Sequence, residues 1–412
     1  MKNTKEKLGL YIHIPFCVKK CAYCDFLSAP ATRETKQRYF AALLDEIESY
    51  RNRLTKYSIA TVFFGGGTPS SAEGNEILKV MKKINDVFEL EDYLEVTIEV
   101  NPGTITREKF LKYQEAGINR LSFGLQSANN EELRLLGRIH TFEEFVDNYR
   151  MAREIGFQNI NIDLMSALPG QTLASWENTL NRVLELQPEH ISAYSLIIEE
   201  GTEFFERYQE GTPGFHDLPD EENDRRMYHL TGKRMEQYGY TRYEISNYAK
   251  PGYECIHNSS YWKGTQYLGL GLGAASLINN IRFSKERDIN QYLGRIETYK
   301  VGVMEKPNEQ KPASESSLRG LICDSIGLAE DIEELTLERR MEEFMFLGLR
   351  MCKGVSKDEF GRRFSCGMDQ VYGDKLHQLQ HKGLITMEAD RIKLTELGID
   401  VSNTVLAEFL LD

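Results

Sequence analysis

The chain has 412 residues and a net charge of −13 from 50 basic and 63 acidic side chains. This length suggests more than one folding unit, and the acidic balance argues against a protein that coats a nucleic-acid backbone. The first residues lack an apolar signal-peptide core, and no apolar run is long enough for a transmembrane helix. We therefore expect a cytoplasmic protein that binds no nucleic acid, and peripheral association with a membrane stays open.

The first half of the sequence alternates strand patterns with helix patterns. Short apolar or alternating runs predict strands at about residues 8–14, 59–64, 94–100, 120–125, 160–164 and 190–196. Helical spacing of apolar residues falls between these runs. Six strand–helix repeats predict an α/β fold with parallel strands joined by right-handed crossovers. The simplest closure is a partial (β/α)₆ TIM-like barrel, with an open doubly wound sheet as the alternative.

The pattern changes after residue 200, which predicts three parts: a barrel core (1–200), a barrel extension (201–305) and a C-terminal domain (306–412). Lys306 to Ser317 is polar, contains two prolines and is typical of a linker. The tail predicts helices at 338–351, 356–364 and 369–382, then a hairpin and a last helix from Thr395. This succession resembles a winged helix.

The strongest chemical motif is Cys17-x-x-x-Cys21-x-x-Cys24, directly after the first strand. Three thiolates in one loop of a reduced protein indicate a metal or redox centre rather than a disulfide framework. A structural zinc ion needs four protein ligands, for which His13 is a candidate. Three thiolates suit a [4Fe–4S] cluster with one open iron, which is the favoured interpretation. A zinc site and free thiols are the alternative interpretations of this motif.

Further candidate residues follow the other strands. Gly65–Gly67 ends the second strand, where glycine lets the backbone approach a ligand closely, although a simple turn is the alternative. Glu99, Gln126 and Asp163 end or follow later strands, and Arg138 precedes a helix. Taken singly, each of these residues is best interpreted as a helix cap or a surface charge. Together they lie at the carboxyl ends of the strands, which is the face where β/α barrels build active sites.

The cysteine motif and the following Gly-Gly-Gly-Thr-Pro resemble the radical S-adenosylmethionine (SAM) superfamily. The phrases YIHIPFC, GGGTPS, EVNPG, NIDLM and LPGQT are similar to the oxygen-independent coproporphyrinogen III oxidase-like proteins, over about residues 8–280. The resemblance implies a [4Fe–4S] cluster on the three cysteines, SAM on its open iron, and a reductase or flavodoxin-type electron donor. It also implies SAM contacts from Tyr11, Gly66, Gly67, Thr68, Glu99, Gln126, Arg138 and Asp163. Whether SAM is cleaved or only held stays open.

Two branches of this family differ in sequence. The coproporphyrinogen oxidases carry an additional cysteine two places after the third cluster cysteine, where this chain has Phe26, and a longer N-terminal segment. The heme chaperones carry His-Asn-x-x-Tyr-Trp, which matches His257–Trp262 here. This match implies heme bound through His257 and delivered to respiratory membrane proteins.

Three alternatives stay open at this point. The shared core would also suit oxidative decarboxylation of coproporphyrinogen III. The winged-helix-like tail would suit a zinc-bearing regulator that binds DNA or a partner protein. His257 could equally be a hydrogen-bonded residue under a loop.

Overall fold

The computed structural model describes residues 5–305 and 318–411, and the linker predicted at Lys306–Ser317 lies outside them. Six strand–helix repeats begin the chain. The strands are β1 (Glu6–Ile14), β2 (Tyr57–Gly66), β3 (Leu90–Val100), β4 (Arg120–Gln126), β5 (Ile160–Ser166) and β6 (His190–Ser195). The helices are α1 (Arg33–Glu48), α2 (Gly74–Val87), α3 (Arg107–Glu115), α4 (Asn130–Leu135), α5 (Phe142–Ile155), α6 (Leu173–Leu184), α7 (Glu203–Tyr208) and α8 (Glu221–Gln237).

The second half adds short strands and further helices. They are β7 (Thr241–Arg242), β8 (Asn247–Ala249), α9 (Ile256–Trp262), β9 (Tyr267–Leu270), β10 (Ala275–Ile278), β11 (Ile281–Lys285), α10 (Ile289–Glu305), α11 (Leu318–Leu321) and β12 (Ala329–Glu334). The C-terminal part has α12 (Leu337–Gly348), β13 (Val355–Ser356), α13 (Lys357–Phe364), α14 (Met368–His381), β14 (Ile385–Glu388), β15 (Arg391–Leu394), α15 (Glu396–Asp400) and α16 (Ser402–Ala407). Within the described residues, no helix combines the length and apolarity needed to cross a membrane.

The chain forms two compact units. Unit 1 contains the residues up to Thr231 together with Gln266–Glu334, and unit 2 contains Gly232–Thr265 together with the residues from Leu335. These limits differ from the boundaries predicted at residues 200 and 305, because β9 to β12 return to the sheet of unit 1. The HNSSYW stretch accordingly belongs to the same unit as the C-terminal tail. Whether the three predicted parts are separate domains stays a prediction.

The strands of unit 1 follow the order β12-β11-β10-β9-β1-β2-β3-β4-β5-β6. Strands β1 to β6 are parallel neighbours in chain order, as a partial barrel requires. A doubly wound sheet would reverse its strand order at a switch point, so that alternative is excluded. Strand β9 adds to β1 in parallel, and β10, β11 and β12 follow in antiparallel pairing. The sequence analysis did not predict these four short strands.

The C-terminal part of unit 2 has the predicted winged-helix-like arrangement of three helices and a hairpin. Strands β13, β15 and β14 form a small antiparallel sheet. Ser356 caps α13 by accepting a hydrogen bond from the N–H of Glu359 at 3.0 Å. The core contains Met345, Phe360 and Tyr372, which are almost completely buried.

A buried ion pair joins the added strands to the barrel. Lys285 on β11 and Glu46 on α1 are 1% and 0% exposed, and their charged atoms lie 3.3 Å apart. Lys285 also donates to the Tyr50 hydroxyl at 2.7 Å. Glu46 accepts the N–H of Gly271 at 2.8 Å and the hydroxyl of Tyr292 at 2.7 Å. Gly271, in the glycine run that follows β9, therefore has a structural role.

We expect Lys285→Ala to lower the free energy of unfolding by about 3–5 kcal/mol, because it removes the cation paired with the buried carboxyl group of Glu46. Denaturant unfolding of the purified protein measures this change. The matched control is Arg38→Ala, which removes an exposed pair with Glu297 and should cost less than about 1 kcal/mol. Similar losses in both variants would contradict the role assigned to Lys285.

Candidate cofactor site

A cavity of about 430 Å³ lies at the carboxyl ends of β1 to β6. Residues that end or follow all six strands line it, which is possible because the sheet curves into a partial barrel. The cavity brings together most of the candidate residues: Cys17, Cys21, Cys24, Gly66, Gly67, Thr68, Glu99, Gln126, Arg138 and Asp163. Tyr11 does not line it, and its contact with SAM stays a prediction.

The three cysteines lie on the loop between β1 and α1, and none forms a disulfide. Burial raises the pKa of the Cys24 thiol, a hydrogen bond from the Phe26 backbone lowers it, and the neighbouring Cys21 and Cys17 raise it again. The three sulfurs line one cavity, where they would repel one another as thiolates. A cationic centre would relieve this repulsion, and three sulfurs at one cavity fit a [4Fe–4S] cluster with an open iron.

His13 supports the cysteine loop and is not placed as a metal ligand. Its Nε2 lies 2.9 Å from the carbonyl oxygen of Leu27, and its Nδ1 lies 3.2 Å from the hydroxyl of Tyr11. Burial lowers the pKa of His13, so the ring is neutral and both nitrogens are engaged. Among the residues that the structure describes, no three His, Cys, Asp or Glu side chains are arranged to hold a single metal ion.

The glycine loop packs directly against the cysteine loop. Gly66 has φ +112°, and a Cβ at this position would lie 2.6 Å from the His13 ring. Gly67 and Thr68 donate their N–H groups to backbone carbonyls that precede Cys17, at 2.9 and 2.8 Å. The Thr68 hydroxyl donates to the Cys17 sulfur at 3.4 Å. Because these donors already have partners, we expect this loop to offer carbonyl oxygens to a SAM ammonium group.

Two carboxyl groups face the cavity from β3 and β5. Glu99 accepts the N–H of Gly66 at 3.2 Å. Burial, and after it the nearby charge of Asp163, raises the pKa of Glu99 to about 8. Asp163 accepts hydrogen bonds from Asn161 at 2.8 Å and Ser122 at 3.2 Å, yet burial still raises its pKa. A cationic ligand would stabilise both groups, and SAM carries a sulfonium and an ammonium.

Arg138 provides a donor for an anionic group. Its guanidinium donates to the Cys21 sulfur at 3.6 Å and to the carbonyl oxygen of Gly124. Its Nε is buried and has no hydrogen-bond partner among the described residues, which suits a carboxylate. Gln126 lines the same cavity and ends β4 with a left-handed φ of 75°.

The sequence analysis missed Tyr23, which also lines the cavity. Burial raises the pKa of the Tyr23 hydroxyl, while the nearby Arg138 lowers it. The only signal in the sequence is an aromatic residue directly before the third cysteine.

His257 lies in unit 2 and is 1% exposed. Its Nε2 lies 2.9 Å from the hydroxyl of Tyr261, and the two rings meet edge to face at 5.0 Å. The structure thus gives His257 a hydrogen-bonded partner on its own helix. Its predicted role as a heme ligand stays a prediction.

Comparisons with known proteins agree with this geometry. The family model of the radical SAM superfamily matches residues 11–183, and that of the HemN C-terminal domain matches residues 335–401. The chain is 37% identical to heme chaperone HemW of Bacillus subtilis (strain 168), over 97% of this chain and 98% of that protein. It is 33% identical to heme chaperone HemW of Lactococcus lactis subsp. lactis, over 98% and 97%.

One solved structure supports the fold over nearly the whole chain. Coproporphyrinogen III oxidase (HemN) from Escherichia coli superposes with a TM-score of 0.79 at 24% identity, covering 98% of this chain and 90% of that one. The strand order and the three-cysteine cavity are those of a radical SAM protein, which implies a [4Fe–4S] cluster and SAM. Within that superfamily, the chain belongs to the HemW family.

The raised pKa of Glu99 predicts a pH dependence of stability. Glu99 titrates near 8 when folded and near 4.5 otherwise, so the folded protein binds the extra proton between these values. The contribution of the protonated Glu99 to folding stability is complete below pH 4.5 and is lost as the pH rises through 8. Between these two values, ionisation of Glu99 lowers the free energy of unfolding by up to about 1.4 kcal/mol per pH unit. Glu99→Gln should abolish this part of the pH dependence. Unfolding of the ligand-free protein from pH 5 to 9 measures the difference.

Glu108→Gln, which changes an exposed carboxylate on α3, is the control and should leave the pH profile unchanged. Identical slopes for wild type and Glu99→Gln would show that Glu99 is already ionised at neutral pH.

Proposed function

We propose that this protein is a heme chaperone that binds heme and delivers it to respiratory membrane proteins, while holding a [4Fe–4S] cluster and SAM at the barrel mouth. The observation that carries the proposal is the identity of 37% to a heme chaperone over 97% of the chain. The cavity supports the cofactor part, because it assembles thiols, acids and an arginine of the types that the two cofactors need.

The residues of the cavity would act on the cofactors in distinct ways. Cys17, Cys21 and Cys24 would hold the cluster, which supplies an open iron and an electron to SAM when bound. The donors from Thr68 and Arg138 to the cysteine sulfurs would stabilise the reduced state, since hydrogen bonds to sulfur withdraw charge from it.

The remaining cavity residues would orient SAM. Glu99 and Asp163 would face its positive groups, and the unpartnered Nε of Arg138 would face its carboxylate. Gly66, Gly67, Gln126 and Tyr11 complete the proposed contacts. A reductase or flavodoxin-type protein would supply the electron.

Two separate observations support the heme part of the proposal, one in unit 2 and one at Phe26 in unit 1. The HNSSYW stretch forms α9 and carries an imidazole, a phenol and an indole within six residues. Phe26 is 61% exposed at the position of the additional cysteine of the oxidases. Heme transfer to membrane proteins would require transient contact with the membrane surface.

A variant that replaces Cys17, Cys21 and Cys24 with alanine should lose nearly all iron and acid-labile sulfide after anaerobic reconstitution. Removing the thiolates leaves the cluster without protein ligands. Iron and sulfide assays with absorption spectroscopy measure the loss. Cys366→Ala in unit 2 is the control and should retain wild-type content; equal loss in both variants would contradict the proposed ligands.

Titration of the anaerobically purified full-length protein with heme should show saturable binding. His257→Ala should weaken binding by roughly tenfold or more, since it removes one member of the proposed site. His216→Ala, at an exposed position of unit 1, should bind like wild type. Absence of binding by the wild type would overturn the heme-chaperone proposal, and turnover of coproporphyrinogen III with SAM and a reductant would replace it with the oxidase.

A further inference from the structure

This inference rests on the proposed function and concerns how unit 2 would hold the heme iron. Helix α9 places His257 and Tyr261 four residues apart, where side chains on one helix face meet. The imidazole Nε2 and the phenol oxygen lie 2.9 Å apart. His257 is 1% exposed, whereas Tyr261 is only half-buried. The phenol is therefore the more accessible of the two candidate ligands.

We infer that Tyr261 Oη is the atom that binds ferric heme iron, and that His257 acts as its hydrogen-bonded base. In this step the iron–oxygen bond forms, the phenol O–H bond breaks, and the proton moves to His257 Nε2. A water molecule on the iron leaves, and the iron stays ferric. The hydrogen bond to His257 makes the proton loss easier, and phenolate is an established protein ligand of heme iron.

Binding through His257 itself is less consistent with the contacts on α9. Its Nε2 would have to give up the hydrogen bond to Tyr261 and become exposed. Cys255, a second candidate ligand nearby, is completely buried at the start of α9, where its sulfur accepts the N–H of Asn258 at 3.5 Å. His257 and Cys255 are almost completely buried, whereas Tyr261 is already partly exposed.

A second observation points to an anionic ligand at the same helix end. Trp262 Nε1 and Arg350 Nε are both buried, and neither has a hydrogen-bond partner among the described residues. The Arg350 guanidinium carbon lies 4.5 Å from the centroid of the Trp262 ring. Burial raises the pKa of the neighbouring Glu244, while its hydrogen bonds and the charge of Arg350 lower it. Two unsatisfied N–H donors suit a carboxylate, and heme carries two propionate carboxylates.

The test is titration of the full-length protein with ferric heme, followed by absorption, electron paramagnetic resonance and resonance Raman spectroscopy. Protein with isotope-labelled tyrosine rings identifies phenolate modes directly. We expect wild type to show a high-spin ferric centre with label-sensitive phenolate bands. Tyr261→Phe should lose these bands and bind heme roughly tenfold or more weakly.

Tyr253→Phe is the matched control, because Tyr253 packs in the same small cluster as Trp262. It should leave the spectrum unchanged. His257→Ala should keep the label-sensitive bands in the heme-bound form but bind more weakly at neutral pH, with affinity recovering as the pH rises. Circular dichroism of each variant checks that unit 2 remains folded.

The outcomes separate this inference from the proposed function. Wild-type binding with an unchanged spectrum in Tyr261→Phe would overturn the inference and leave the chaperone proposal intact. If only His257→Ala lost the iron–ligand bands, the inference would also be overturned, and the His257 imidazole would be the iron ligand. Absence of heme binding by the wild type would overturn the proposed function itself.

Discussion

The contact between the cysteine loop and the glycine loop is the constraint on which the cofactor site depends. The N–H groups of Gly67 and Thr68 bind carbonyl oxygens of the chain just before Cys17, and His13 binds the carbonyl of Leu27 just after Cys24. The loop is thus fixed on both sides of the three cysteines before any cluster arrives. Pre-organised ligands lower the entropic cost of binding a cofactor.

This contact also sets the position of the acids. Gly66 can approach the His13 ring only because it has no Cβ, and its N–H then binds Glu99. A larger residue at position 66 would therefore displace both the cysteine loop and a carboxylate of the cavity. One glycine thus couples the cluster side of the site to the SAM side.

The sequence predicted the six barrel strands because their apolar alternation is local and strong. It could not predict β9 to β12, which are four to six residues long and depend on pairing such as Gly9 with Tyr267. Such pairing joins residues far apart in sequence, and no local pattern reports it.

Tyr50 shows the same limit at a single residue. It lies two residues beyond the end of α1 at Glu48, and its hydroxyl is held by Lys285 from a strand that is distant in sequence. The candidate site was more predictable than these details, because parallel strands bring their carboxyl ends to one rim. The sequence could not predict which groups surround each site residue. The raised pKa of Glu99, for example, depends on its burial and on Asp163, which is 64 positions away in the sequence.

The two proposed ligands have opposite electrostatic needs, and each unit meets one of them. In unit 1, Glu99 and Asp163 are enclosed together beside Arg138, which suits SAM, because SAM carries two positive groups and one carboxylate. In unit 2, Trp262 and Arg350 present buried N–H donors that have no partner among the described residues, which favours carboxylates. The charges of the two sites would therefore favour SAM in the cavity of unit 1 and heme at α9 in unit 2. Such a division would let one chain hold a radical SAM centre and an exchangeable cargo without competition between them.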